Sequence, residues 1–301
     1  MIKYSIKDNN ICNFCESKNN YKVLGKRLNK SHGFKPQNKT GICTTIIKCK
    51  NCGMITANPL PIPESIQDHY GQPPENYWKK NYFSSEDKFF ELEIEWYKRL
   101  RSNISKPKAL DIGTGIGKAM IAMEKANFEV FGIEPSIPFY KMAIEKTGIK
   151  PDRLKCTSIE VADFPENTFD FISFGVVLEH LYDPSYCLKR ALKWLKPNGL
   201  IHVEVPNADY LLNKIMNFQY RLRGLDYVTN LSPMHEPFHL YEFTLDSFRQ
   251  FCNKNNLEIE DHAFFACSTG LTGLLDDALR RIMKKTDQGM QLTVWLKKIK
   301  E

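Results

Sequence analysis

The run Lys108-Ala-Leu-Asp-Ile-Gly-Thr-Gly-Ile-Gly-Lys118 limits the possible folds more than any other part of the chain. A short apolar stretch of strand character enters three glycines at alternate positions and leaves into a helix-forming segment. Gly113, Gly115 and Gly117 lack β-carbons, so the backbone can turn tightly and approach a ligand, and the helix that follows offers free amide groups. A glycine-rich turn alone is a weak sign of nucleotide binding. Glu134 strengthens it, because it closes the next apolar run about 20 residues later, where an acid can accept hydrogen bonds from both ribose hydroxyls. A nicotinamide dinucleotide fingerprint needs a third glycine where Lys118 stands, at a point of close helix packing, and that reading is set aside. A phosphate-binding loop is excluded because Ala119 follows Gly117-Lys118.

Around this turn the pattern alternates. Residues 109–112, 130–133, 169–174, 200–205 and 257–266 read as buried strands, and 84–101, 119–126, 139–146, 185–195, 245–253 and 271–285 as helices. Such alternation predicts an α/β fold with a largely parallel sheet covered by helices on both faces. Residues 291–295 suit a last strand, while 208–241 interrupt the alternation, as binding excursions do.

The amino-terminal part differs. Cys12-Asn-Phe-Cys15 and Cys49-Lys-Asn-Cys52 are two Cys-x-x-Cys pairs separated by a stretch with short β-type runs at 21–24 and 44–48. Two residues between thiolates let one turn present both sulfurs, and two such turns complete a closed tetrahedral site, so Cys12, Cys15, Cys49 and Cys52 are expected to hold a structural Zn2+. His32 and Cys43 lie between the pairs but belong to neither. The prolines of Asn58-Pro-Leu-Pro-Ile-Pro63 fit neither a helix nor a central strand, which places a boundary between a zinc ribbon at 1–63 and a second domain at 64–301.

A net charge of +7 admits a nucleic-acid partner, but the basic residues are scattered among acidic ones, with no arginine cluster or stacking aromatics beside the cysteine pairs. A zinc-ribbon RNA-binding protein or RNA methyltransferase is therefore the alternative rather than the lead. No apolar run approaches the ~18 residues that span a bilayer, the first ten residues lack a signal-peptide core, and a cytoplasmic protein with no membrane insertion is expected.

The segment Phe169-Asp-Phe-Ile-Ser-Phe-Gly-Val-Val-Leu-Glu-His-Leu-Tyr-Asp-Pro184, with Leu195-Lys-Pro-Asn-Gly199, Val203-Glu-Val-Pro-Asn207 and His239-Leu-Tyr-Glu-Phe-Thr244, resembles the class I S-adenosylmethionine-dependent methyltransferases. With the amino-terminal ribbon, the layout is similar to the branch acting on sugars and polysaccharide precursors. The resemblance implies a Rossmann-like seven-stranded sheet whose final strand is antiparallel and lies inside it. It also implies that S-adenosylmethionine is lined by Asp111, Gly113, Gly115 and Gly117, with Glu134 on the ribose. Thr157, Ser158 and Ile159 would then lie near adenine, and Phe174 and Gly175 beside the methyl group. Where the branch carries Gly-Gly, Asn198 stands first, and its tolerance of positive dihedrals is expected to preserve the turn.

The implied reaction moves a methyl group to a small-molecule acceptor, with a hydroxyl of a sugar, nucleotide sugar or glycan precursor in the lead and N- or C-methylation as alternatives. A hydroxyl needs a proton acceptor, and histidine, with an ordinary pKa near 6.5, suits the task. His180 at a strand end, and His235 and His239 on the excursion, are the candidates.

Overall fold

A run such as Phe169–Gly175, apolar at nearly every position, has no polar face to give to water and becomes a strand only where both sides are covered. In the computed structural model, which describes residues 3–28, 43–73, 88–267, 269 and 272–299, such runs form the centre of a seven-stranded sheet. Its strands are β6 (Lys108–Ile112), β7 (Glu129–Ile133), β8 (Leu154–Lys155), β9 (Phe169–Gly175), β10 (Leu195–Pro206), β12 (Leu257–Phe265) and β13 (Gln291–Lys298). They lie in the order β12-β13-β10-β9-β6-β7-β8, and β13 runs antiparallel to both neighbours. This is the seven-stranded methyltransferase arrangement, with the last strand inserted in the sheet.

Helices cover both faces. On one, α2 (Glu91–Leu100), α3 (Lys118–Lys125) and α4 (Ile137–Glu145) bury Tyr97, Met120 and Met123 against Phe171 and Trp295. On the other, α5 (Pro184–Trp194) and α7 (Leu245–Lys254) pack Leu188 and Phe248 toward Ile172 and Val203. Their starts are capped locally. Asp183 accepts the Tyr186 amide at 3.0 Å with Pro184 in the first turn, and Thr244 and Ser247 form a reciprocal capping box. The helix expected over 84–101 begins at Glu91, and residue 84 itself lies outside the described residues.

The amino-terminal strands are β1 (Tyr4–Lys7), β2 (Tyr21–Leu28), β3 (Cys43–Cys49), β4 (Ile55–Ala57) and β5 (Leu60–Pro63). The proline-rich segment expected to break the chain is itself strand β5, paired with β1 alone. An edge position tolerates prolines because one side of the strand needs no amide donors. β2, β3 and β4 form a second sheet that is extended by β11 (Tyr241–Glu242), contributed from beyond the central strands. A second difference concerns Asn198, which is not among the residues at positive φ and lies inside β10. The close approach falls instead at Gly199, where a β-carbon would meet Leu195 Cδ1 at 2.7 Å and the Asp170 carbonyl oxygen at 3.0 Å.

Within the unplaced excursion lies α6 (Leu211–Leu222), followed by a loop that returns to β11. No helix among the described residues is long and apolar enough to cross a membrane.

Candidate functional site

β6 delivers the glycine turn at its carboxyl end. Gly113, Gly115 and Gly117 all sit at positive φ (67°, 55° and 83°), the left-handed region that favours glycine. Two of them also have no room for a side chain: a β-carbon on Gly117 would fall 1.9 Å from Ile149 Cδ1, and one on Gly113 2.8 Å from Val177 Cγ2. Gly115 has only Phe139 within 4 Å, at 3.8 Å, so it is the turn's open glycine.

Glu134, at the end of β7, closes the turn. Its two carboxylate oxygens accept the Gly115 and Ser136 amides at 2.8 Å each. A carboxylate offers about four lone-pair sites, so two are left for a ligand's hydroxyls. Burial raises Glu134 to about 7 against the pull of the two amides. Burial, with Glu134 nearby, raises Asp111 to about 8. Two buried acids thus flank a turn lined with amides, and a ligand that brings positive charge and paired hydroxyls fits them.

The other cofactor-side residues are less close-knit. Thr157 and Ser158 are half-buried on the loop after β8, and Ile159 is buried beneath them, its carbonyl held by Arg190 Nε at 3.0 Å. Phe174 is fully buried and Gly175 half-buried at the end of β9.

Immediately after β9, a single 3-10 turn, Leu178–His180, abuts the glycine turn through the Gly113–Val177 contact. It places Glu179 and His180 against His239 from the excursion. The rings of His180 and His239 are 4.9 Å apart, and their Nε2 atoms stand 3.8 and 3.9 Å from Glu179 Oε1. His180 Nδ1 is 2.9 Å from the Tyr70 hydroxyl and 3.3 Å from the Phe238 carbonyl oxygen. Burial lowers His180 to about 4 and takes His239 well below its ordinary value, while burial raises Glu179 to about 8. Burial thus favours the uncharged form of all three, and each neutral imidazole keeps one nitrogen lone pair. Their ligand atoms lie within 4.8 Å of one another, a spacing that could also hold a metal ion. His235 is not one of the three clustered ligands, but it is near enough to His239 to help lower it, and its Nδ1 is 2.9 Å from the Glu236 carbonyl oxygen.

Two members of the site carried no assigned role in the sequence reading. Glu179 is completely buried, and neither of its oxygens has a hydrogen-bond partner among the described residues. Its signal was an acid embedded in an apolar strand end. Tyr70, on the short helix α1 (Gln67–Tyr70), joins the two halves of the site: its hydroxyl meets His180 and its carbonyl accepts the Ser136 hydroxyl at 2.5 Å. Nothing in the local sequence pattern marks such a bridge.

The four cysteines of the two pairs also converge. Cys12 and Cys52 sulfurs are 3.5 Å apart, Cys15 and Cys49 sulfurs 3.6 Å, and all four are buried with no disulfide. A tetrahedral ion with zinc–sulfur bonds of about 2.3 Å sets its sulfurs about 3.8 Å apart, so the donor set fits. Four buried thiols cannot all ionise unaided: hydrogen bonding with its neighbours drives Cys49 well below the ordinary thiol value, while its bond with Cys49 pushes Cys12 up to about 12. Cys43 is exposed at the start of β3 and His32 lies outside the described residues.

Comparison with known proteins agrees with this fold. The ubiquinone biosynthesis O-methyltransferase of Bradyrhizobium diazoefficiens is 31% identical over 151 residues, 46% of this chain and 57% of that protein. Phosphoethanolamine N-methyltransferase 3 of Arabidopsis thaliana is 37% identical over 119 residues, 35% of this chain and 24% of that protein. The chain thus spans little more than half, or less, of the curated relatives it matches. Among solved structures, the plantazolicin methyltransferase BpumL in complex with SAH shares the fold, with a TM-score of 0.51 at 19% identity over 78% of this chain and 93% of that one. The methyltransferase domain family matches residues 88–262, from ahead of the first strand of the central sheet into β12. The chain belongs to the methyltransferase domain family.

Proposed function

We propose that this chain transfers a methyl group from S-adenosylmethionine to a hydroxyl of a small, sugar-derived acceptor. Bound there, the cofactor would supply a methyl group already activated on a sulfonium, leaving the protein to bind, orient and accept a proton. Asp111, Gly113, Gly115 and Gly117 would line it, with Glu134 on its ribose, Thr157, Ser158 and Ile159 toward adenine, and Phe174 and Gly175 beside the methyl group. The observation that carries the reading is the gathering of His180 and His239 around Glu179, directly against the glycine turn. A neutral imidazole offers the lone pair that a hydroxyl proton needs.

The name of the Bradyrhizobium relative favours an oxygen acceptor, and that of the Arabidopsis relative keeps an amine as the second reading. The sugar class rests on the branch that the ribbon and the His239-to-Thr244 segment resemble. In this reading residues 1–63 are a module held by one structural zinc on Cys12, Cys15, Cys49 and Cys52, and 64–301 carry the transfer. Its closed four-sulfur shell leaves no position for a substrate.

The test is methyl transfer to a panel of nucleotide sugars, glycans and amines at saturating cofactor. His180→Ala or His239→Ala should lose about 100- to 10,000-fold in turnover with cofactor affinity nearly unchanged, and His235→Ala should lose less. Near-normal turnover of all three between pH 6 and 9 would exclude histidine as the base and favour the amine.

A further inference from the structure

A second group of polar side chains lies on the sheet face covered by α2; it shares no residue with the cysteine cluster or with the Glu179 trio, and its Glu204 is near enough to Glu179 to help raise that carboxyl. β10 carries His202 and Glu204 on that face, two residues apart, and α2 lays Glu93 over them. One ring nitrogen of His202 and one carboxylate oxygen each from Glu93 and Glu204 lie within 4.8 Å of one another.

His202 is fully buried between Phe90, Phe171 and Trp295, with ring centroids 5.8, 6.4 and 4.9 Å away. Its Nδ1 lies 3.2 Å from Ser173 Oγ, and its Nε2 has no hydrogen-bond partner among the described residues. An unsatisfied buried nitrogen is destabilising, so a fold that keeps it needs a reason. Glu93 and Glu204 form no ion pair with a basic side chain among the described residues. Burial raises both carboxyls, and Glu93 adds to the rise at Glu204, which reaches about 7. Two acids that repel each other beside an unpaired imidazole nitrogen form a group short of positive charge.

We propose that Glu93, His202 and Glu204 form a binding site for a divalent cation, with one nitrogen and two oxygen ligands. Imidazole with carboxylates suits Mn2+ or Zn2+, whereas the four thiolates of the ribbon suit zinc. Glu204 stands opposite Gly175 in the parallel register of β9 and β10. Resting on the methyl-transfer reading, the cation would therefore anchor an acceptor through its oxygens at the strand ends.

Titration of Mn2+ alone into the full chain, read by loss of the free-ion paramagnetic signal, tests the site without any turnover. One equivalent should bind to the wild type and to the Glu179→Gln variant. Glu93→Gln and Glu204→Gln should each weaken binding at least tenfold, while circular dichroism stays native. Glu93 is half-buried on a helix, so its conservative variant reads the site even if substitution of the buried His202 prevents folding. Absence of saturable binding, retention of binding in both glutamine variants, or its loss in Glu179→Gln would overturn the proposal. Manganese binding without methyl transfer would leave this site standing and count against the transfer reading instead.

Discussion

Glu179 has a folded-state pKa of about 8 against an ordinary 4.5, so the folded chain holds a proton that the unfolded chain releases. Its stabilising contribution is fully present below about pH 4.5 and is lost as pH rises toward 8. His180 has the opposite sign. Burial lowers it from 6.5 to about 4, so its contribution is present above 6.5 and is lost as pH falls toward 4. Between 4.5 and 6.5 the slopes of these two groups oppose each other, and above 6.5 that of Glu179 adds to those of the other raised carboxyls, Asp111, Glu134 and Glu204. Glu179→Gln, which cannot ionise, should therefore gain stability relative to the wild type between pH 5 and pH 8.5, by on the order of 3 kcal/mol. Urea melts of both proteins at the two pH values check this, and parallel profiles would mean that the Glu179 carboxyl is not held protonated.

At the scale of elements, the amino-terminal strands and the helices of the central sheet share a core. Phe14, between the first two cysteines, packs against Phe243, Phe248 and Phe251 with ring centroids 4.9–5.5 Å apart, and Thr244 Oγ1 donates to the Cys52 carbonyl at 2.6 Å. Phe14→Ala should cost about 3–5 kcal/mol, as for other fully buried aromatics, and appear as a single lowered unfolding transition rather than separate melting of the ribbon. Loss of the zinc expected on the cysteines should act the same way: Cys49→Ser, with its metal content measured, should lower both zinc stoichiometry and melting temperature. A metal-free wild type as stable as the metal-bound protein would refute that. Six strands of the central sheet were legible as apolar runs, such as those of β9 and β10, whereas β8 was not because two residues carry no period. The helix α2 was legible from apolar residues spaced among charged ones, but the residues it buries are Ile94, Trp96 and Tyr97, while Phe89 and Leu92 are exposed. β11 was not legible either, because two residues hold no period, and its pairing with β4 is set by the ribbon. α6 had a helical pattern in Leu211, Leu212, Ile215 and Met216, but only Tyr220 is buried, so no core-facing stripe announced it. The glycine turn was legible because steric need at Gly113 and Gly117 is written in residue type. The trio at Glu179 was only half visible, since His239 arrives from a segment whose path the local pattern does not encode.

For the whole molecule, the central claim is that the glycine turn and Glu134 form the S-adenosylmethionine site of a methyl-transferring protein. α1 lies against both halves of that site through Tyr70, and β11 links the excursion to the amino-terminal strands, so cofactor side, histidine side and cysteine cluster are one connected structure. The most direct test is isothermal titration of S-adenosylmethionine and of a nicotinamide dinucleotide into the wild type and Glu134→Ala. The account predicts one equivalent of S-adenosylmethionine bound, no dinucleotide binding, and a loss of about 1.5–3 kcal/mol in the variant, the range for hydrogen bonds to a charged group. Tight dinucleotide binding with none of S-adenosylmethionine, or an affinity for S-adenosylmethionine unchanged by Glu134→Ala, would contradict it.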